Sequence, residues 1–347
     1  MRKTSFVVSV ALLVSIAVAQ MQGQKPLDIY YIDTEHGKAV LYLSPSGQSM
    51  QVDTGSNVRD ADRILAVMKE AGVQALDYLV ISHYHGDHVG GAAAIASKIQ
   101  IRQFIDHGPY TTQLQQNARV GFDSYLAVRQ IAHATQAKPG EKIPIAGIDV
   151  RVVSSARQLM TTPLLGAGAS NPLCRDFKPK ADFRGVENDE VVGLVIQYGS
   201  FRVLDLADLL WNQEHDLVCP NNLLGTVDAY ATTAHGQEYG SNPIMVHAVR
   251  PRVAIMNQGP NDTQGPTFHT LRSSPGFQDV WQSHYSQAAK EENSPEQFIA
   301  NLEATPDHVG HYIKLSARPD GSFTVTNSRN GFTKEYPPKR TSSDPKQ

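Results

Sequence analysis

Four metal-binding side chains crowd into one short segment, Ser82-His83-Tyr84-His85-Gly86-Asp87-His88-Val89-Gly90-Gly91. Imidazole nitrogen and carboxylate oxygen are the donors that zinc and other first-row divalent ions take. His83 and His85 are two apart, so in an extended stretch they point the same way. Asp87 and His88 are adjacent, so they diverge and could serve a second centre. Gly86, Gly90 and Gly91 are expected to let the backbone turn sharply and pass close to the ions. The segment follows an apolar run of strand length, residues 76–81. A cluster this dense at the end of a strand has few purely structural uses.

The elements around it read as strands first. Residues 27–32 and 39–43 are rich in β-branched, aromatic and aliphatic side chains, and Pro45-Ser46-Gly47 is a turn before a short strand at 49–52. Residues 59–71 alternate as a helix with Ile64, Leu65, Val67 and Met68 on one side, and Gly72 is its expected stop. After the histidines, 90–97 reads as a small-residue helix, 99–105 as a strand and 111–135 as helical. Strands follow at 148–153, 191–198, 201–206, 227–233 and 253–256, with a short helix at 209–218. Residues 156–187 lack periodicity and are a candidate lid or active-site loop. A short helix near 295–303 is expected before a terminal hairpin, 312–317 and 322–326, turned by Pro319-Asp320-Gly321. The chain is read as one domain over 27–335 with a disordered tail at 336–347. Strands, helix and strand–loop–helix units in two halves predict an α/β architecture of sheets covered by helices.

Composition narrows the setting. The 347 residues are 41% hydrophobic and 19% charged, with net charge −3 and no basic run interleaved with aromatics, so no strong nucleic-acid footprint is expected. Arg2 and Lys3, an uncharged apolar run from Phe6 to Val18, and Ala17-Val18-Ala19 before Gln20 follow the grammar of a cleaved signal peptide, residues 1–19. The mature chain is then exported, periplasmic or secreted, with no transmembrane segment. Cys174 and Cys219 are the two cysteines. In an exported chain they could form a disulfide, and sequence leaves that open. No GxSxG elbow, P-loop or dinucleotide fingerprint occurs, which weighs against a serine hydrolase or a nucleotide-dependent enzyme.

At His83-Tyr84-His85-Gly86-Asp87-His88 the chain resembles the metallo-β-lactamase superfamily, whose HxHxDH motif it matches in full. Val52-Asp53-Thr54-Gly55 looks like the family's strand-end aspartate motif, which implies that Asp53 supports the metal loop from behind. The resemblance implies a four-layer αββα sandwich. Leu204-Asp205-Leu206-Ala207-Asp208 resembles the later strand ending in Gly-Asp, with Ala207 in place of the glycine, so Asp208 is the implied bridging carboxylate. Asp205 lies inside that strand and would need a partner if buried. Ala234-His235-Gly236 resembles the late histidine motif and makes His235 the implied last ligand. Many members place a further histidine just before the strand that here begins near Val191. The interval holds His107 and His133, neither at that place, which reads Glu187-Asn188-Asp189-Glu190. This pattern, with Arg250–Ile255 and Asn257-Gln258-Gly259, is similar to the branch containing the soluble domain of DNA-uptake competence proteins.

These residues predict a metal-dependent hydrolase holding one or two Zn²⁺ or another first-row divalent ion. Such an ion lowers the pKa of bound water towards about 7, so a metal-bound hydroxide becomes the nucleophile. Asp87 would orient it, and Asn242 and His269 are expected at the mouth of the site, where they could touch a small-molecule or phosphodiester substrate. An exported nuclease or phosphodiesterase, and a non-catalytic metal-binding protein, are the alternatives. His36, His215, His247, His308 and His311 have no partner spacing and are read as surface or packing residues.

Overall fold

The computed structural model describes residues 25–109, 116–132, 134–181, 187–303 and 310–339. The expected signal peptide, His133, His308 and the last eight residues lie outside these.

Two mixed sheets form the centre. The first runs Thr333–Tyr336, Phe323–Asn327, Tyr312–Ala317, Leu27–Ile32, Val40–Leu43, Ser49–Val52, Ala75–Val80, Gln100–Asp106, Ala134–Gln136. The second runs Ile299–Asn301, Asp279–His284, Val253–Met256, Ala229–Ala231, Phe201–Asp205, Gly193–Tyr198, Asp149–Ser155, Lys142–Ile143. Their inner faces share one core, with Ile29, Tyr31, Val52 and Val80 meeting Val152, Leu194, Val203 and Ile255. Outside the first sheet, a second cluster packs Ile64, Val67 and Met68 of the helix Val58–Glu70, with Ile95 and Tyr125, on Leu41, Leu79 and Phe104. Outside the second, Met245, Val246 and Val249 of Pro243–Val249 and Phe268 and Leu271 of Gly265–Arg272 cover Leu204, Tyr230 and Ala254. This is the αββα sandwich.

Local chemistry follows the sequence in most places. Asn57 caps the helix Val58–Glu70, accepting from the amides of Arg59 and Asp60, and Gly72 beyond its end has φ +76°. Ser49–Val52, Ala75–Val80 and Gln100–Asp106 pair in parallel, as do Phe201–Asp205, Ala229–Ala231 and Val253–Met256. The carboxyl ends of those six strands lead directly to Asp53, His83, His107, Asp208, His235 and Asn257. Parallel strands leave their carboxyl ends as the crevice where ligands collect in α/β sheets.

Four expectations are corrected. Residues 295–303 form a single 3₁₀ turn, Glu296–Phe298, and then the strand Ile299–Asn301. The terminal hairpin gains a third strand, Thr333–Tyr336, in which Tyr336 is buried, receives the Trp281 indole N–H and donates to Asp279. The packed chain therefore runs past 336, and Lys339 still reaches the Val227 carbonyl. The described part of 156–187 is not a free lid. Leu164, Gly168 and Asn171 donate backbone bonds to Leu223, Asn222 and Pro220, and the Cys174–Cys219 disulfide fastens the same two segments.

That disulfide closes a 45-residue separation. Loop-closure entropy then predicts that Cys174→Ala/Cys219→Ala loses roughly 4 kcal/mol of unfolding free energy. Urea titration of the double variant checks this. Equal midpoints would show that the backbone bonds alone hold the segment.

Candidate metal centre

Asp53 sits in the left-handed region at φ +59° and is fully buried. Its carboxylate accepts from the Ser82 amide (2.7 Å) and hydroxyl (2.8 Å), and meets His88 Nδ1 at 2.9 Å. The aspartate thus fixes both the start of the histidine loop and the His88 ring, leaving Nε2 to face inwards.

The loop is pressed against that segment by its glycines. A Cβ on Gly90 would stand 2.0 Å from the Ser56 carbonyl oxygen, and one on Gly91 2.3 Å from that of Thr54. Both glycines have ordinary helical φ, so close approach of two backbones, rather than a sharp turn around ions, is what requires them.

Six of the predicted residues converge. His83 Nε2 lies 3.0 Å from His85 Nδ1. His88 Nε2 lies 3.5 Å from Asp208 Oδ1 and 3.7 Å from Asp87 Oδ2. His235 Nε2 is 3.4 Å from each of the same two carboxylates. Donor atoms of His83, His88 and Asp208 lie within 4.8 Å of one another, as do those of Asp87, His88 and His235. His85 touches the group through His83. Asn257 fixes the His235 ring through Nδ1 at 3.1 Å.

The donor set fits a divalent cation. His88 Nε2, Asp208 Oδ1 and His235 Nε2 are buried without a hydrogen-bond partner, an expensive arrangement for polar atoms. Their 3.4–3.5 Å spacings are long for hydrogen bonds. They match the roughly 3.4 Å between ligand atoms around a tetrahedral ion with bonds near 2.1 Å. Electrostatics agree. Burial depresses the His88 pKa, but Asp208, Asp87 and Asp53 outweigh it and push it up to about 10. His235 is raised well above its ordinary value by Asp208 and Asp87 against the same burial cost. Burial, then the neighbouring rings of His88 and His85, holds His83 well below 6.5. The carboxylate end of the cluster attracts positive charge, while His83 is kept as a neutral ligand.

Backbone strain concentrates here. Ala207, Ala234 and His235 have φ of +45°, +55° and +54°, conformations that cost a residue with a Cβ about 1 kcal/mol or more.

The sequence profile of the metallo-beta-lactamase superfamily matches residues 36–143. That match covers less than half of the chain. No curated protein matches the chain. Among solved structures, a metallo-beta-lactamase from Cronobacter sakazakii with a mutated HARLDQ motif is 15% identical over 51% of this chain, TM-score 0.32, and this chain spans only 59% of that protein. The metallo-beta-lactamase fold protein YhfI from Bacillus subtilis is 12% identical over 74% of this chain and 96% of its own, TM-score 0.43. CmlA, a diiron beta-hydroxylase from Streptomyces venezuelae, is 13% identical over 74% of this chain and 52% of its own, TM-score 0.41. The profile match does not resolve a branch within the superfamily.

Two predicted substrate contacts of this metallo-β-lactamase fold are corrected. Asn242 is buried, and both ends of its amide are used: Oδ1 caps the helix at Ile244 and Nδ2 donates to the Trp211 carbonyl. His269 is exposed on the helix Gly265–Arg272, pairs with Glu292 at 2.8 Å and does not join the converging side chains. His107 is buried between Glu187 (3.0 Å) and Glu190 (3.3 Å).

Sequence reasoning missed three supports. Lys38 is buried, pairs with Asp205 and lies 3.9 Å from Asp53, supplying the partner Asp205 needed. Glu187 accepts the Tyr84 amide at 2.6 Å, in the middle of the HxH pair. Glu214 is fully buried and accepts the amides of Ser241 and Asn242, just after the His235 turn. Nothing in the local sequence marks any of the three as a buried support, because each partner lies far along the chain.

Burial raises the Glu214 pKa from 4.5 to about 7. A carboxyl whose folded pKa is raised binds its proton more tightly when folded. Its stabilising contribution is full below about pH 4.5 and is lost as pH rises through about 7. We expect wild type to lose on the order of 3 kcal/mol across that window relative to Glu214→Gln. Denaturation at pH 5 and pH 8 checks this; parallel pH profiles would contradict it.

Proposed function

We propose that the chain is an exported metal-dependent hydrolase, with zinc as the resident ion. The reading is carried by one observation: three buried donor atoms, His88 Nε2, Asp208 Oδ1 and His235 Nε2, face one another with no hydrogen-bond partner. When bound, the metal supplies Lewis acidity and acidifies a water at neutral pH. The protein does the rest. His83 and His85 are held unprotonated by burial, so both rings keep a lone pair to offer. Asp53 holds the His88 ring and Asn257 the His235 ring, so neither turns away from the cluster.

Asp87 is the accessible member of the carboxylate pair. Its side chain is 36% exposed, against 6% for Asp208. Substrate therefore approaches over Asp87 and His85. The Asp87 carboxylate is kept ionised by His88 and His235 against the cost of burial. It can take the proton of the attacking water and hand it to the leaving group. The Cys174–Cys219 disulfide suits an oxidising compartment and supports the export reading. No helix among the described residues is long and apolar enough to cross a membrane.

The test is hydrolysis of an ester, lactam, thioester and phosphodiester panel by zinc-loaded protein, beside Asp87→Ala. Turnover of one class, abolished in the variant, is expected. A loaded, folded wild type that hydrolyses none would remove the hydrolase reading and leave a metal-binding protein.

A further inference from the structure

Asn188 lies in the segment that runs beside the histidine loop, and three contacts fix its place. On one side Glu187 accepts the Tyr84 amide, between the two histidines (2.6 Å). On the other, the Val192 amide donates to the Ser82 carbonyl (2.8 Å), so residues 187–192 run alongside the histidine loop. The Asn188 amide itself donates from Nδ2 to the backbone carbonyl of Asp208 (3.2 Å). Residues 187–192 therefore link the histidine loop to the segment carrying Asp208. It is 1% exposed, and its Oδ1 has no hydrogen-bond partner.

An amide oxygen buried without a donor is costly unless something positive meets it. The neighbouring acids already have partners. Glu187 Oε1 is committed to the Tyr84 amide and to His107, and Asp189 accepts from Gln213. Resting on the metallohydrolase reading above, we propose that Asn188 Oδ1 is a ligand of the first metal centre, together with His83, His85 and Asp208. A neutral amide oxygen in place of an imidazole nitrogen makes this centre harder. It should discriminate less between zinc and oxygen-favouring ions such as Mn²⁺ than a three-histidine centre does.

The test is equilibrium dialysis of the mature chain against Zn²⁺ and, separately, Mn²⁺, with elemental analysis, for wild type, Asn188→Ala and Asn188→His. Wild type is expected to bind two equivalents of zinc. Asn188→Ala should keep one and bind the second at least tenfold more weakly. Asn188→His should restore two and raise the zinc-to-manganese preference at least tenfold. Unchanged affinities in Asn188→Ala overturn the proposal, whether wild type binds one equivalent or two. If Asn188→Ala does not fold by circular dichroism, Asn188→His decides alone: an unshifted preference overturns the proposal. A wild type that binds no metal brings down the hydrolase reading itself, a separate outcome from failure at Asn188.

Discussion

Asp208→Ala is expected to abolish hydrolysis, lowering kcat/KM by at least about 10³-fold, and to release metal. Asp208 Oδ1 lies 3.5 Å from His88 Nε2 and 3.4 Å from His235 Nε2, and a donor atom of Asp208 also groups with His83. It is the carboxylate shared by both halves of the cluster. Removing it takes away one negative charge beside His88 and His235, whose rings stay anchored by Asp53 and Asn257. Asp208→Asn separates charge from shape, because it keeps an oxygen in place but takes away the charge. Metal affinity falling in both variants, with more lost in Ala, is the expected pattern. Full activity in Asp208→Ala would show that the cluster is not the catalytic centre.

The second large effect concerns stability. Lys38→Met should destabilise the fold by about 3–5 kcal/mol, because it strands a buried carboxylate. Lys38 pairs with Asp205, which is 1% exposed and also accepts the Tyr42 hydroxyl at 3.0 Å. The pair links the first sheet to the second. Asp205→Asn in the Lys38→Met background should recover part of the loss, since no uncompensated charge then remains. Urea denaturation of the two variants and wild type checks both statements. A single variant within about 0.5 kcal/mol of wild type would mean that water or another cation reaches Asp205.

The centre was legible where residue type alone specifies chemistry. His83, His85, Asp87 and His88 are dense, follow an apolar strand and have few bland uses; the structure brings them together with Asp208 and His235. The layered fold was legible because the core strands are continuous apolar runs, such as Val253–Met256 with every residue buried. What stayed hidden depends on partners far along the chain. Nothing local says that Lys38 meets Asp205, 167 residues away. Asn242 looked like a loop residue near the late histidine, yet its side chain caps a seven-residue helix. The strand Thr333–Tyr336 reads as polar, since only Tyr336 of TKEY is buried against the sheet. At 295–303 the apolar residues Phe298, Ile299 and Ala300 fit either period, and pairing with Asp279–His284 settled a strand.

The central claim is that these six side chains hold metal. Elemental analysis of purified mature protein, beside His85→Ala and His235→Ala, tests it most directly. About two equivalents of zinc in wild type, falling in both variants, is the predicted result. Absence of bound metal in wild type after reconstitution would contradict the account.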